Sequence, residues 1–207
     1  EKKLAAGADL FTLQLGFDAG KHQEAMHWMR RQPAPKPLLA CLMGLTQGRA
    51  NMLDHVAGVT VTPSMRHMLE AEAAQSKAFA QARSVDRLAL QVIGVKLMGY
   101  AGVHLSGIHE ISQLLALEAR LEHWQAQITD MAQWAPAWQA SWQMPGLPAV
   151  TFHPPQAAWR QGESRVTATL TQQARYHLMH GMHSLLFSRR NGLSQAWGWG
   201  VRQPVWS

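Results

Sequence analysis

Apolar residues recur at Leu114, Leu117, Leu121, Trp124, Ile128 and Met131, an unbroken three-four spacing that marks one stripe of a helix. Ser106 can cap its start, and Pro136 ends the regular pattern about eight turns later. The spacing therefore predicts one long amphipathic helix over 106–134. Its other face carries Glu110, Glu118, Arg120 and Glu122, which suits water or a polar partner rather than lipid.

The same reading orders the rest of the chain. Phe11, Leu13, Leu15 and Phe17 alternate as a strand does, and Met26 and Met29 mark a short helix over His22 to Arg31, closed by Pro33, Pro35 and Pro37. Pro37 suits the first turn of a further helix, Leu38 to Val56, weakened by Gly44 and Gly48. Thr62-Pro63 is a helix start, and the stripe Met65, Met68, Leu69, Ala73, Ser76 and Phe79 extends that helix to about Arg83, with Ser84 and Asp86 as a new cap. Leu88 to Leu105 reads as a helix with a break, because Gly94, Gly99 and Gly102 would each cost a helix about 1 kcal/mol relative to Ala. Trp134, Trp138 and Trp142 stand four apart, so a short helix would bury three indoles along one side. Residues 144–162, with four prolines, form a surface crossing. Val166 to Leu170 is a short strand, Gln172 to Arg190 a helix ended by Asn191 and Gly192, and Trp197 to Val201 a strand or Gly-rich extended segment. The class expected is mainly α: a helical, bundle-like domain with a minor β component near the termini. The 207 residues form a single domain, 1–207, with a basic, Trp-rich subregion over 134–207.

Composition sharpens this picture at two points. Cys41 is the only cysteine, which excludes an internal disulfide or a thiolate cluster and fits a reducing, cytoplasmic setting. No apolar run is long enough to span a membrane. The chain begins at Glu1 rather than Met, as a processed or trimmed product would. The formal charge of +6 is unevenly placed: residues 1–133 carry thirteen Lys and Arg against twelve Asp and Glu, whereas residues 134–207 carry six Arg against Glu163 alone. Eight of the nine tryptophans lie beyond residue 123, so cations and stacking surfaces share one region.

Candidate chemistry is mostly excluded by spacing. Gly16 to His22 contains Gly20-Lys21, but a phosphate loop needs four residues between its glycines and Ser or Thr after Lys, where this chain has three and His22. His109-Glu110 opens like a zinc-protease helix, but Gln113 stands where the second histidine belongs. His177, His180 and His183 could ligate a metal or haem from one helix, although 177 and 183 diverge by about 120° around it. Cys41 reads as an inert, buried thiol on an apolar helix face. Arg165, Arg175, Arg189, Arg190 and Arg202 can neutralise phosphates, while Trp197 and Trp199 can stack on unpaired bases.

In outline the strand, helix and Gly-rich terminus from Val166 to Val201, with Gly192, Gly198 and Gly200, resembles the end of the repeat-associated RNA-binding proteins of CRISPR systems, over about a sixth of the chain. The helix-rich remainder does not fit the paired ferredoxin-like domains of that family. The function expected is a non-enzymatic helical subunit of a larger assembly, binding nucleic acid, single-stranded or RNA, through its C-terminal region, with protein partners and no cofactor. The alternative is a helical metal or haem protein using the three histidines.

Overall fold

Six apolar residues in a row, Leu38–Met43, form the central strand of the fold instead of the helix expected there. A continuous apolar run of this length is what a strand buried between neighbours requires. The computed structural model describes residues 2–54, 56–150 and Phe152, which belong to one unit spanning Glu1–Trp159. Its elements run α1 (Lys2–Ala5), β1 (Phe11–Thr12), α2 (Ala19–Arg30), β2 (Leu38–Met43), α3 (Gln47–Leu53), α4 (Pro63–Gln75), α5 (Lys77–Leu97), β3 (Gly102–Ser106), α6 (Ile111–Gln125) and α7 (Met131–Ser141). The described chain is mostly helical, as expected. Its β component is a three-stranded parallel sheet in the order β1-β2-β3, with β2 and β3 well inside the chain rather than near its termini. Leu39 pairs with Gly102, Cys41 with His104 and Met43 with Ser106. Leu38, Ala40 and Leu42 are buried and α5 packs on β2, so these alternate residues anchor the sheet to the helices.

Three boundaries depart from the sequence pattern, each for a local reason. The helix that starts at Thr62-Pro63 stops at Gln75, because Ser76 adopts an extended backbone and its hydroxyl accepts from Phe79 N at 3.0 Å, which starts α5. Ser84 and Asp86, expected as a cap, therefore lie inside α5. That helix ends at Leu97, and Gly99 just beyond it has a φ of +92°, which favours glycine. Tyr100 N donates to Val95 O and Gly99 N to Lys96 O, which closes the turn and releases the chain into β3. The long helix expected over 106–134 is two helices preceded by the end of β3. Asp130 Oδ1 accepts from Gln133 N at 2.9 Å while the Gln133 side chain reaches back to Thr129, so capping restarts the helix where the apolar stripe appears continuous. Of that stripe only Leu117 and Ile128 are buried outright, and Leu114 is exposed.

The three tryptophans behave as their spacing implies. All lie in or next to α7 and are buried: Trp134 stacks on Trp138 at 5.7 Å, Trp138 meets Trp142 edge-on at 6.0 Å, and Phe152 packs against the last two. The Trp134 indole N–H donates to Leu90 O at 2.7 Å, fastening α7 to α5. Beneath them Glu72 of α4 is 1% exposed and accepts two 2.6 Å hydrogen bonds from Arg87 of α5. Arg83 also reaches Glu72 and donates to Ser141 O at 2.6 Å, and the Arg87 guanidinium lies 4.4 Å from the centre of the Trp142 ring. One carboxylate thus joins α4, α5 and the end of α7.

Candidate ligand site at the carboxyl edge of the sheet

The residues singled out for nucleic-acid contact, Arg165, Arg175, Arg189, Arg190, Trp197, Trp199 and Arg202, lie outside the described residues, as do His177, His180 and His183. What the described residues bring together is a different site. In a parallel sheet every strand ends on the same edge, and the loops that leave those ends converge. Here the converging loops begin at Leu13 after β1, Gly44 after β2 and Gly107 after β3.

Buried and half-buried side chains hold these three ends in place. Arg49, on α3, donates through Nη1 to Gly44 O at 2.7 Å and through Nη2 to Gly107 O, so one guanidinium joins the loops of β2 and β3. Thr46 accepts from Arg49 N at 3.5 Å and starts the short helix that carries it. Gly44 is needed for contact: a Cβ there would lie 2.8 Å from the buried Ser84 hydroxyl of α5. Gln91, 6% exposed on the same helix, donates to Gly16 O at 3.2 Å and fixes the loop that leaves β1. Gly107 has a φ of +72°, which turns the chain sharply away from β3. The rim carries exposed His109 and Glu110, ahead of α6. Gln113 Oε1 accepts from His109 N at 3.3 Å, so this stretch turns into a helix without presenting a metal-binding pair.

His22 lies just beneath this edge. It is 5% exposed, its ring meets Tyr100 edge-on at 5.9 Å, and its Nε2 has no hydrogen-bond partner among the described residues. The ring faces Gly16, where an added Cβ would lie 3.7 Å from Nε2. Burial pushes the His22 pKa down from 6.5 to about 4, and the Asp18 carboxylate opposes this only in part. The unfolded chain consequently binds the proton first. The contribution of neutral His22 to stability is complete above pH 6.5 and is lost as the pH falls towards 4, by up to about 3 kcal/mol. Urea unfolding at pH 7 and at pH 4.5 should show this loss in the wild type and a smaller one in His22→Asn; equal losses would contradict it.

Cys41 is on β2, not on a helix, and is half-buried rather than fully buried. Its Sγ lies 3.6 Å from His104 Nδ1 on the neighbouring strand, and burial pushes the thiol pKa up. That shift suits an unreactive thiol, as expected from the sequence, and not a nucleophile. Among the described residues no three His, Cys, Asp or Glu side chains converge as a metal site would require, and no helix is long and apolar enough to cross a membrane.

Fold and edge together define a β/α unit with sequentially wound parallel strands. No family model matches the chain, and no curated protein is significantly similar to it. The signal that could have located the edge from sequence is a strand-like segment followed by glycine, the apolar run Leu38–Met43 before Gly44 and the alternating Val103–Ser106 before Gly107, since both glycines mark strand ends.

Proposed function

We propose that the described unit binds a small polar ligand on the loops that leave the carboxyl ends of β1, β2 and β3. The observation that carries this reading is the Arg49 clamp on the carbonyls of Gly44 and Gly107, which fixes the loops leaving β2 and β3 to each other. In open parallel sheets the loops that leave the carboxyl ends of the strands carry the groups that contact ligands. Arg49 is a positioning residue in this account, with both terminal nitrogens already donating to backbone. A thermal-shift screen of polar metabolites tests the proposal. A ligand present at a hundred times its Kd should stabilise the protein by about 2.7 kcal/mol, a rise of several degrees. Arg49→Ala should keep the helical circular dichroism and lose most of that rise. A screen in which no compound raises Tm, or a rise untouched by Arg49→Ala, would sink the reading.

A second reading is nucleic-acid binding by a subunit of a larger assembly, favoured by the charge segregation: six Arg against one Glu over residues 134–207, interleaved with tryptophan. Exposed Ile111, Leu114 and Leu115 on α6 suit contact with a protein partner in such an assembly. Arg189→Ala with Arg190→Ala should weaken oligonucleotide binding across sequences and flatten its salt dependence. Binding unchanged by this double substitution would remove the assigned role of these arginines.

A further inference from the structure

The edge opposite the candidate ligand site carries a second feature that the sequence does not reveal. At the amino ends of the strands, α2 and α5 finish side by side, because Arg30 Nη2 donates to Met98 O at 2.7 Å. Lys36, in the loop entering β2, pairs with Asp9 just before β1 at 3.0 Å. Arg31 ends α2, and Lys96 occupies the last turn of α5; both are exposed. The segments 27–37 and 95–102, which reach this edge, carry Arg30, Arg31, Lys36 and Lys96 and no Asp or Glu, and Lys36 is the one of these four that an ion pair joins to a carboxylate, Asp9, among the described residues. Arg30, Arg31 and Lys96 form no ion pair among the described residues. Cations at helix C-termini are favoured by the helix dipole, which accounts for one such residue per helix end. It does not account for two helices and a loop delivering their cations to one edge.

We infer that this amino edge, centred on Arg31, Lys36 and Lys96, is a docking surface for the phosphate backbone of single-stranded nucleic acid. The inference rests on the nucleic-acid reading above and adds to it a contact surface far in sequence from the C-terminal arginines. Its chemistry is phosphate neutralisation: the exposed Arg31 and Lys96, with the half-buried Lys36 between strand entry and Asp9, release counterions without reading bases. An anionic membrane is the less favoured polyanion, since surface binding to lipid uses large apolar side chains for insertion and the chain beside this edge exposes only Leu10 among such residues described there.

The test is fluorescence anisotropy with the full chain and a labelled mixed-sequence single-stranded oligonucleotide over a range of salt. The double variant Arg31→Ala with Lys96→Ala should bind roughly 20-fold more weakly near 0.1 M salt, with the slope of log K against log salt smaller by about 1.4, the value for two phosphate contacts on a single strand. Arg31→Lys with Lys96→Arg should bind like the wild type, which separates charge from folding. If the wild type binds no oligonucleotide, the nucleic-acid reading itself fails and takes this inference with it. If the wild type binds and the Ala variant matches it in affinity and slope, only the amino edge is wrong. If the Ala variant keeps oligonucleotide binding but loses binding to vesicles of phosphatidylcholine and phosphatidylserine, the edge faces lipid and the proposal is overturned.

Discussion

Replacing Glu72 with Ala lowers the stability of the protein by about 3–5 kcal/mol, the cost of leaving a buried cation without its partner. Glu72 and Arg87 are 1% and 2% exposed, and their two hydrogen bonds of 2.6 Å are the contacts that compensate the guanidinium for lost water. Without the carboxylate, Arg87 keeps Ser141 O at 3.3 Å and the face of Trp142, which is too little for a full charge. The effect should spread, since Arg83 also leans on Glu72 while holding the end of α7. Urea unfolding followed by circular dichroism measures the loss. A second comparison separates the pair's net contribution from the cost of breaking it: Glu72→Met with Arg87→Met should be far milder than Glu72→Ala alone, because a well-packed apolar pair has no charge to strand. A loss below about 1 kcal/mol for Glu72→Ala would mean that water reaches Arg87.

The second large effect is expected at Gly94, where the usual sign of a helix substitution reverses. Gly to Ala inside a helix should stabilise by about 1 kcal/mol. At this position a Cβ would lie 2.5 Å from two carbons of the Trp134 ring. The ring cannot yield cheaply, being held by its N–H on Leu90 O and by its stack on Trp138. Overpacking of this kind costs about 1–3 kcal/mol or more, so the net change should be destabilising despite the better helix former. Gly94→Ala should therefore lower Tm and alter the near-ultraviolet signal of the tryptophans. Combined with Trp134→Ala, it should regain its favourable sign, since the obstructing ring is gone. A stabilised single variant would contradict the packing of α7 on α5.

Much of the helical content was legible because capping chemistry is local. Thr62-Pro63 starts α4 as its residues imply, and the four-residue spacing of Trp134, Trp138 and Trp142 correctly indicates one buried face. The sheet was not legible for a physical reason. A strand buried in a parallel sheet loses the alternation that distinguishes it from a helix, so Leu38–Met43 offers an apolar run that fits both, and the preceding Pro37 suggests a helix start. The junction of α6 and α7 was hidden by a similar coincidence. The stripe from Leu114 to Met131 keeps helical spacing across it, while Asp130 alone signals the restart. The candidate site was missed because its parts are far apart in sequence. Gly16, Gly44, Arg49 and Gly107 become neighbours only through parallel pairing, and Arg49 has no local feature that distinguishes it from a surface cation.

The location of the ligand site is tested most directly by amide chemical-shift mapping of the isotopically labelled protein, titrated with whichever metabolite raises its Tm. The shifted amides should cluster on the carboxyl edge, at Gly16, Gly44 to Arg49 and Gly107 to Glu110, with Arg31 and Lys96 unmoved. Shifts centred on the amino edge, or on the exposed apolar residues of α6 with the strand-end loops silent, would contradict it.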